Sequence, residues 1–137
     1  MYKVEKRFTV PIGHRLSKHA GRCKNFHGHN IQIYVGVTSQ KLNENDMVID
    51  FSNLKELVNQ IIDQWDHCLL LNINDSTLSS DLKNEFRIIS FPFDPTAEKL
   101  CETLYKVLRP RLKQDTGVDI EYVTIFENEN SKATYME

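Results

Sequence analysis

Cysteine is scarce: Cys23, Cys68 and Cys101 are the only three in 137 residues, an odd number without paired spacing. That excludes a disulfide framework and suits a reducing compartment. An excess of either charge is also missing. Seventeen Lys and Arg stand against 19 Asp and Glu, for a formal net charge of -2. The basic residues form no run, so no nucleic-acid-tracking stripe is expected. No apolar run approaches the roughly 18 residues of a membrane span. The opening Met1-Tyr2-Lys3-Val4-Glu5-Lys6 alternates apolar and charged residues and lacks a signal-peptide core, so the expected location is cytoplasmic. There is no internal repeat, linker or low-complexity tract, and the composition suits one folded domain over residues 1–137.

Histidine, by contrast, is concentrated. Four of the five histidines fall between positions 14 and 29, around Cys23-Lys24-Asn25-Phe26-His27-Gly28-His29. His27 and His29 are two residues apart, so on an extended chain both point to the same face. A third histidine from a neighbouring strand completes a three-nitrogen zinc site with one open position, the layout of a catalytic zinc. His14, His27 and His29 are the metal candidates. Gly28 between two of them permits close backbone or ligand approach. His19, in the polar loop, is read as a loop or substrate contact. Cys23, flanked by Arg22 and Lys24 and close to the metal, has surroundings that favour a thiolate. Cys68 and Cys101 read as packing residues.

The hydrophobic pattern outlines the fold. Tyr2 to Val10 alternates as a strand, which Pro11 and Gly13 are expected to interrupt. Ser17 to Asn25 reads as a loop, and His29 to Val37 as a second strand with Ile31, Ile33, Val35 and Val37 on one face. Met47-Val48-Ile49 is expected as a short strand. Phe51 to Trp65 carries helical spacing with Asp50 or Ser52 as N-cap. Asn72 to Asn84 reads as a surface loop, and Phe86 to Phe91 as a short strand. Asp94-Pro95 is expected to start a second helix, with Asp94 as N-cap. Pro110 is expected to kink or end it early, and Gly117 suits its C-cap. Val118 to Glu127 alternates as a last strand. The result is an α+β domain, with helices on one face of an antiparallel sheet.

Three further sites admit two readings each. Asp66-His67 is a carboxylate beside an imidazole, which suits acid-base work. It is equally what a histidine stabilising a helix C-terminus looks like. Glu98 lies in the first turn of a helix, where the dipole favours it regardless of function. Glu127 ends an apolar strand, either solvated or poised to accept two N–H donors from a heterocycle with an amino group.

Together these blocks resemble the 6-pyruvoyl-tetrahydropterin synthase and 6-carboxytetrahydropterin synthase family. The resemblance is carried by His14-Arg15-Leu16, Cys23-x-x-x-His27-Gly28-His29-Asn30, and Val48-Ile49-Asp50-Phe51-Ser52-Asn53-Leu54-Lys55. Trp65-Asp66-His67-Cys68-Leu69-Leu70-Leu71-Asn72, Pro95-Thr96-Ala97-Glu98 and Val123 to Glu127 continue it. It implies a tunnelling fold: a four-stranded antiparallel sheet with two helices on one face. It also implies a homohexamer built from two trimers, with active sites between subunits. On this resemblance His14, His27 and His29 are the zinc ligands and Cys23 is the catalytic thiol. Asp66 and His67 are its partners, from a neighbouring subunit. Glu127 anchors the pterin, and Thr96 and Glu98 lie near its pocket. The implied substrate is 7,8-dihydroneopterin triphosphate, whose carbon-bound protons beside the pterin ring a zinc Lewis acid would acidify.

The gap of three residues between cysteine and His-Gly-His resembles the enzymes that form 6-carboxy-5,6,7,8-tetrahydropterin for queuosine, releasing acetaldehyde and triphosphate. The pyruvoyl-forming enzymes have a longer gap, and a hydroxymethyl-forming branch carries glutamate where this sequence has Cys23. The alternatives are a 6-pyruvoyl-tetrahydropterin synthase and a non-catalytic zinc- or pterin-binding protein. A zinc hydrolase would need a base such as that of His-Glu-x-x-His, which is absent here.

Overall fold

The computed structural model describes residues 1–137. Two 13-residue strands dominate it: β1 (Tyr2–His14) and β2 (His27–Ser39), paired antiparallel along their whole length. Alternation sets their faces. Phe8, Val10, Ile12 and His14 of β1, and Ile31, Ile33, Val35 and Val37 of β2, are buried.

The sequence then runs through α1 (Phe51–Ile62), β3 (Cys68–Asn72), α2 (Ser80–Glu85), β4 (Ile88–Phe91), α3 (Ala97–Thr116), β5 (Asp119–Asn128) and β6 (Ser131–Tyr135). The sheet order is β4-β3-β1-β2-β5-β6. β3 runs parallel to both β1 and β4, while the other pairs are antiparallel. The expected four antiparallel strands are therefore corrected to six in a mixed sheet, with a third, short helix beside the two long ones. α1 and α3 supply Leu54, Val58, Ile62, Leu100, Leu104, Leu108 and Leu112 to one core with the inward residues of β1, β2 and β5. Each fully buried leucine contributes about 1.5–3 kcal/mol.

Several local expectations are corrected. β1 does not break at Pro11. The Pro11 carbonyl accepts from the His67 N–H at 2.9 Å, towards the β3 edge. A strand residue's nitrogen and carbonyl point to the same edge, so Pro11 removes no donor from the β1–β2 ladder. Met47-Val48-Ile49 is not a strand. The Asn43 side chain accepts from the Asn45 and Met47 N–H groups at 2.9 and 3.1 Å and holds a turn there, while Val48 and Ile49 drop into the core. α1 starts on Asp50 but stops at Ile62, so Asp66 and His67 lie in the following turn.

The cap of α3 is Thr96, whose hydroxyl accepts from the Lys99 N–H; Asp94 is drawn elsewhere. α3 runs through Pro110 to Thr116, where the buried Leu104, Leu108 and Leu112 hold it and outweigh one lost hydrogen bond. Gly117 ends it in the left-handed region at φ 72°. In β5 the register shifts opposite Gly36 and Val37, so the inward set changes from Ile120 to Val123 and Ile125. At that bulge the Tyr122 ring lies directly over Gly36, where a Cβ would overlap it.

Candidate active site

The β1–β2 register creates the site. His14 stands directly opposite His27, and His29 opposite Ile12, so all three imidazoles emerge on the core face at one end of the hairpin. Their ring centroids are 4.5 to 5.0 Å apart. One ligand nitrogen from each lies within 4.8 Å of the other two. His14, which a broken β1 would have displaced, is the most buried of the three, at 1% exposure.

Backbone carbonyls orient two of the rings. His14 Nδ1 bonds the Pro95 carbonyl at 2.8 Å, and His27 Nδ1 bonds the Asn25 carbonyl at 2.7 Å. Such bonds place the remaining proton on Nδ1 and leave Nε2 as a free lone pair, the usual outer support of a metal-ligating histidine. His14 Nε2 is buried and has no hydrogen-bond partner. An orphaned buried acceptor facing two further imidazoles fits a borderline-soft cation bound by nitrogen, such as zinc. Burial, aided by the neighbouring His27 and His29 and opposed by the Pro95 carbonyl, lowers the His14 pKa to about 4. Its imidazole is therefore neutral, as a ligand must be.

Cys23 lies in a 3-10 turn, Arg22–Lys24, within the loop that joins β1 to β2, and is partly exposed. Its carbonyl accepts from the Leu16 N–H at 2.9 Å, which closes the loop. It does not join the three-nitrogen cluster. Cys68 and Cys101 are both buried, and burial pushes the Cys101 thiol up to about 12. His67 Nδ1 is hydrogen-bonded to the Asp66 carboxylate, with the His67 backbone at φ 55° in the left-handed region. The ring is largely exposed and lines a groove of about 550 Å³ with Pro11, Ile12, Gly13, Phe26 and Leu69. Gly13 and Phe26 adjoin His14 and His27, so this groove runs to the histidine end of the hairpin.

The pterin-pocket candidates are less closely gathered. Glu127 is half-buried, one residue beyond the last β2–β5 pair, Gln32 with Phe126. It is the extra residue of a bulge in the β5–β6 ladder, between the pairs Phe126 with Lys132 and Asn128 with Ser131. Thr96 adjoins Pro95 and spends its hydroxyl capping α3, while Glu98 is exposed in the first turn. His19 accepts from the Gly21 N–H and shapes the loop.

Sequence reasoning missed two carboxylates beneath the loop. Asp94 accepts from Ser17 Oγ at 2.6 Å, the Lys18 N–H at 2.8 Å and Asn72 Nδ2 at 3.1 Å. Asp75 accepts from Arg15 Nε at 2.7 Å and from the Thr77 N–H and hydroxyl at 2.9 and 2.7 Å. Burial alone would raise both pKa values. These donors outweigh it and hold both carboxyls below the ordinary range. Asp-Pro reads as a helix start and Asp75 as a loop residue, so no local signal marks either.

A curled mixed sheet backed by two long helices, with three histidines at one end of its central hairpin, defines an α+β domain of the tunnelling-fold class. Solved structures agree on the fold. A protein of uncharacterized function from Wolinella succinogenes aligns with a TM-score of 0.86 at 22% identity, over 99% of this chain and 98% of that one. The 6-pyruvoyl tetrahydropterin synthase of Plasmodium vivax aligns with a TM-score of 0.74 at 22% identity, over 100% and 99%. Residues 3–137 match the family described as 6-pyruvoyl tetrahydropterin synthase, and the protein belongs to that family. Relatives named 6-carboxy-5,6,7,8-tetrahydropterin synthase include that of Haemophilus influenzae, 31% identical over 100% of both sequences. That of Aquifex aeolicus is 30% identical over 99% of this chain and 98% of its own.

Proposed function

We propose that this protein is a zinc-dependent lyase that converts 7,8-dihydroneopterin triphosphate and one water to 6-carboxy-5,6,7,8-tetrahydropterin, with release of acetaldehyde and triphosphate. One observation carries the metal-centred reading: the buried, unpartnered His14 Nε2 facing His27 and His29. The end-to-end match to relatives named for the 6-carboxy product supports the choice of reaction.

His14, His27 and His29 would hold the zinc, and three protein ligands leave a position for substrate. A zinc ion there supplies Lewis-acid polarisation of the substrate side chain. Cys23, as thiolate, takes and returns the side-chain protons. His67, held in orientation by Asp66, relays them. Glu127 accepts the amino and ring N–H donors of the pterin, and Thr96 and Glu98 border its pocket. The two sheet edges, β4 and β6, are unpaired within one subunit. They suit assembly of copies edge to edge, up to the homohexamer with intersubunit sites, in the cytoplasm as part of queuosine precursor synthesis. No helix is long and apolar enough to cross a membrane.

The test is to incubate the zinc-loaded protein with 7,8-dihydroneopterin triphosphate and weigh the pterin product. A 6-carboxy pterin with an equivalent of acetaldehyde is expected. A 6-pyruvoyl product would move the protein to the other synthase reaction. Unchanged substrate on a zinc-loaded protein would overturn the enzymatic reading in favour of a binding role.

A further inference from the structure

The loop that carries Cys23 is clamped by a side chain with no part in the proposed chemistry. Arg15 follows His14 directly. Its Nε donates to Asp75 Oδ2 at 2.7 Å, and its Nη1 donates to the Lys24 carbonyl at 3.0 Å. Its guanidinium carbon lies 5.9 Å from the centre of the Phe26 ring. One planar group thus ties the first residue after β1 to the residue after Cys23. Asp75 is a rigid seat for it: the carboxylate is buried and already held by both donors of Thr77. Asp94 fixes the neighbouring residues Ser17 and Lys18 from the other side. The loop between the first two zinc candidates therefore has two buried anchors; a backbone bond from the Leu16 N–H to the Cys23 carbonyl closes it, and the Arg15 side chain is what ties the Cys23 turn to one of those anchors.

We propose that Arg15, seated on Asp75, is a positioning residue that holds the Cys23 turn in place for proton transfer to substrate. The proposal rests on the catalytic role assigned to Cys23 above. Its chemistry is specific to arginine. A lysine can keep the ion pair with Asp75, but a single ammonium on a flexible stem does not reproduce the fork that also holds the Lys24 carbonyl. The charge-pairing and clamping roles are therefore separable.

The experiment compares the zinc-loaded full-length protein with its Arg15→Lys and Arg15→Gln variants. It reads zinc content, Tm, the rate of Cys23 alkylation by iodoacetamide (followed by peptide mass), and kcat and KM for 7,8-dihydroneopterin triphosphate. Cys23 is the only cysteine that is not buried, so its alkylation reports on the turn alone. Arg15→Lys is expected to keep its zinc and nearly all of its Tm. Its Cys23 is expected to be alkylated about threefold faster, and its kcat to fall about tenfold with KM little changed. Arg15→Gln loses both roles and falls in Tm as well; if it does not fold, Arg15→Lys carries the test. Faster alkylation in the variants of a protein that has no turnover would uphold the clamp and sink the assigned reaction instead. Parent-like alkylation and kcat in Arg15→Lys would overturn the proposal, as would loss of zinc from that variant.

Discussion

His14 gives the metal-free protein a stability that depends on pH. Its folded pKa is lowered from 6.5 to about 4, chiefly by burial. The unfolded state therefore binds the proton more readily than the folded one at every pH between these values. Stability is complete above pH 6.5 and is lost as pH falls through the window down to about 4. The gap between the two pKa values corresponds to about 3 kcal/mol. Other groups also make stability depend on pH, and Asp75 and Asp94, whose carboxyls are held below the ordinary range, weigh in at the acid end, so the contribution is isolated by difference. Urea unfolding of the metal-free protein and of its His14→Gln variant is measured from pH 7 to pH 4. The wild type should lose about 3 kcal/mol more than the variant over that span. At pH 7 the variant is less stable, because a polar side chain replaces one hydrogen-bonded to Pro95. Saturating zinc should move the wild-type loss to lower pH, because protons then compete with the metal. Parallel curves for the two proteins would refute the assignment of a buried neutral imidazole at position 14.

Three further outcomes follow from the site and the fold. Cys23→Ala should lower turnover at least about a thousandfold while one zinc per subunit stays bound; zinc lost with the thiol, measured by metal analysis, would make Cys23 a ligand instead. Glu127→Gln keeps an acceptor but presents an amide donor to the pterin N–H edge, so KM should rise about tenfold or more in steady-state kinetics. An unchanged KM would remove Glu127 from the pocket. Gly36→Ala drives a methyl into the Tyr122 ring and should cost about 1–3 kcal/mol in urea unfolding, an effect that Tyr122→Ala in the same protein relieves.

The histidine site is legible in the sequence because its signal is local. Two-residue spacing fixes His27 and His29 on one face whatever the tertiary structure. The parity of β1, with Phe8, Val10 and Ile12 inward, carries His14 to that face as well. Pro11 obscures this because its tolerance depends on which edge its nitrogen faces, and β3 decides that from more than 50 residues away. The same holds for β3 itself. Leu69-Leu70-Leu71 is too short to read as anything but packing until β1 and β4 flank it. β6 escapes a sequence reading because Ser131–Tyr135 is a five-residue edge strand whose inward side carries only Ala133 and Tyr135, too short a pattern to mark it. Asp94 reads as a cap because Asp-Pro ordinarily is one. Its actual partners, Ser17, Lys18 and Asn72, come from two other segments. The roles of Thr96, Glu98, Asp66 and His67 come from resemblance to the family, because nothing in their own spacing distinguishes them from ordinary helix-end residues.

His14, His27 and His29 are held here to bind a metal that turnover requires. The direct measurement strips the protein with a chelator and titrates zinc back while recording both bound metal and the rate of product formation. Activity should be absent without metal, rise in proportion to bound zinc and stop at one ion per subunit. Replacement of His14, His27 and His29 by alanine should remove both binding and rate. Full activity in the stripped protein, or one zinc per subunit retained without the three histidines, would contradict the account.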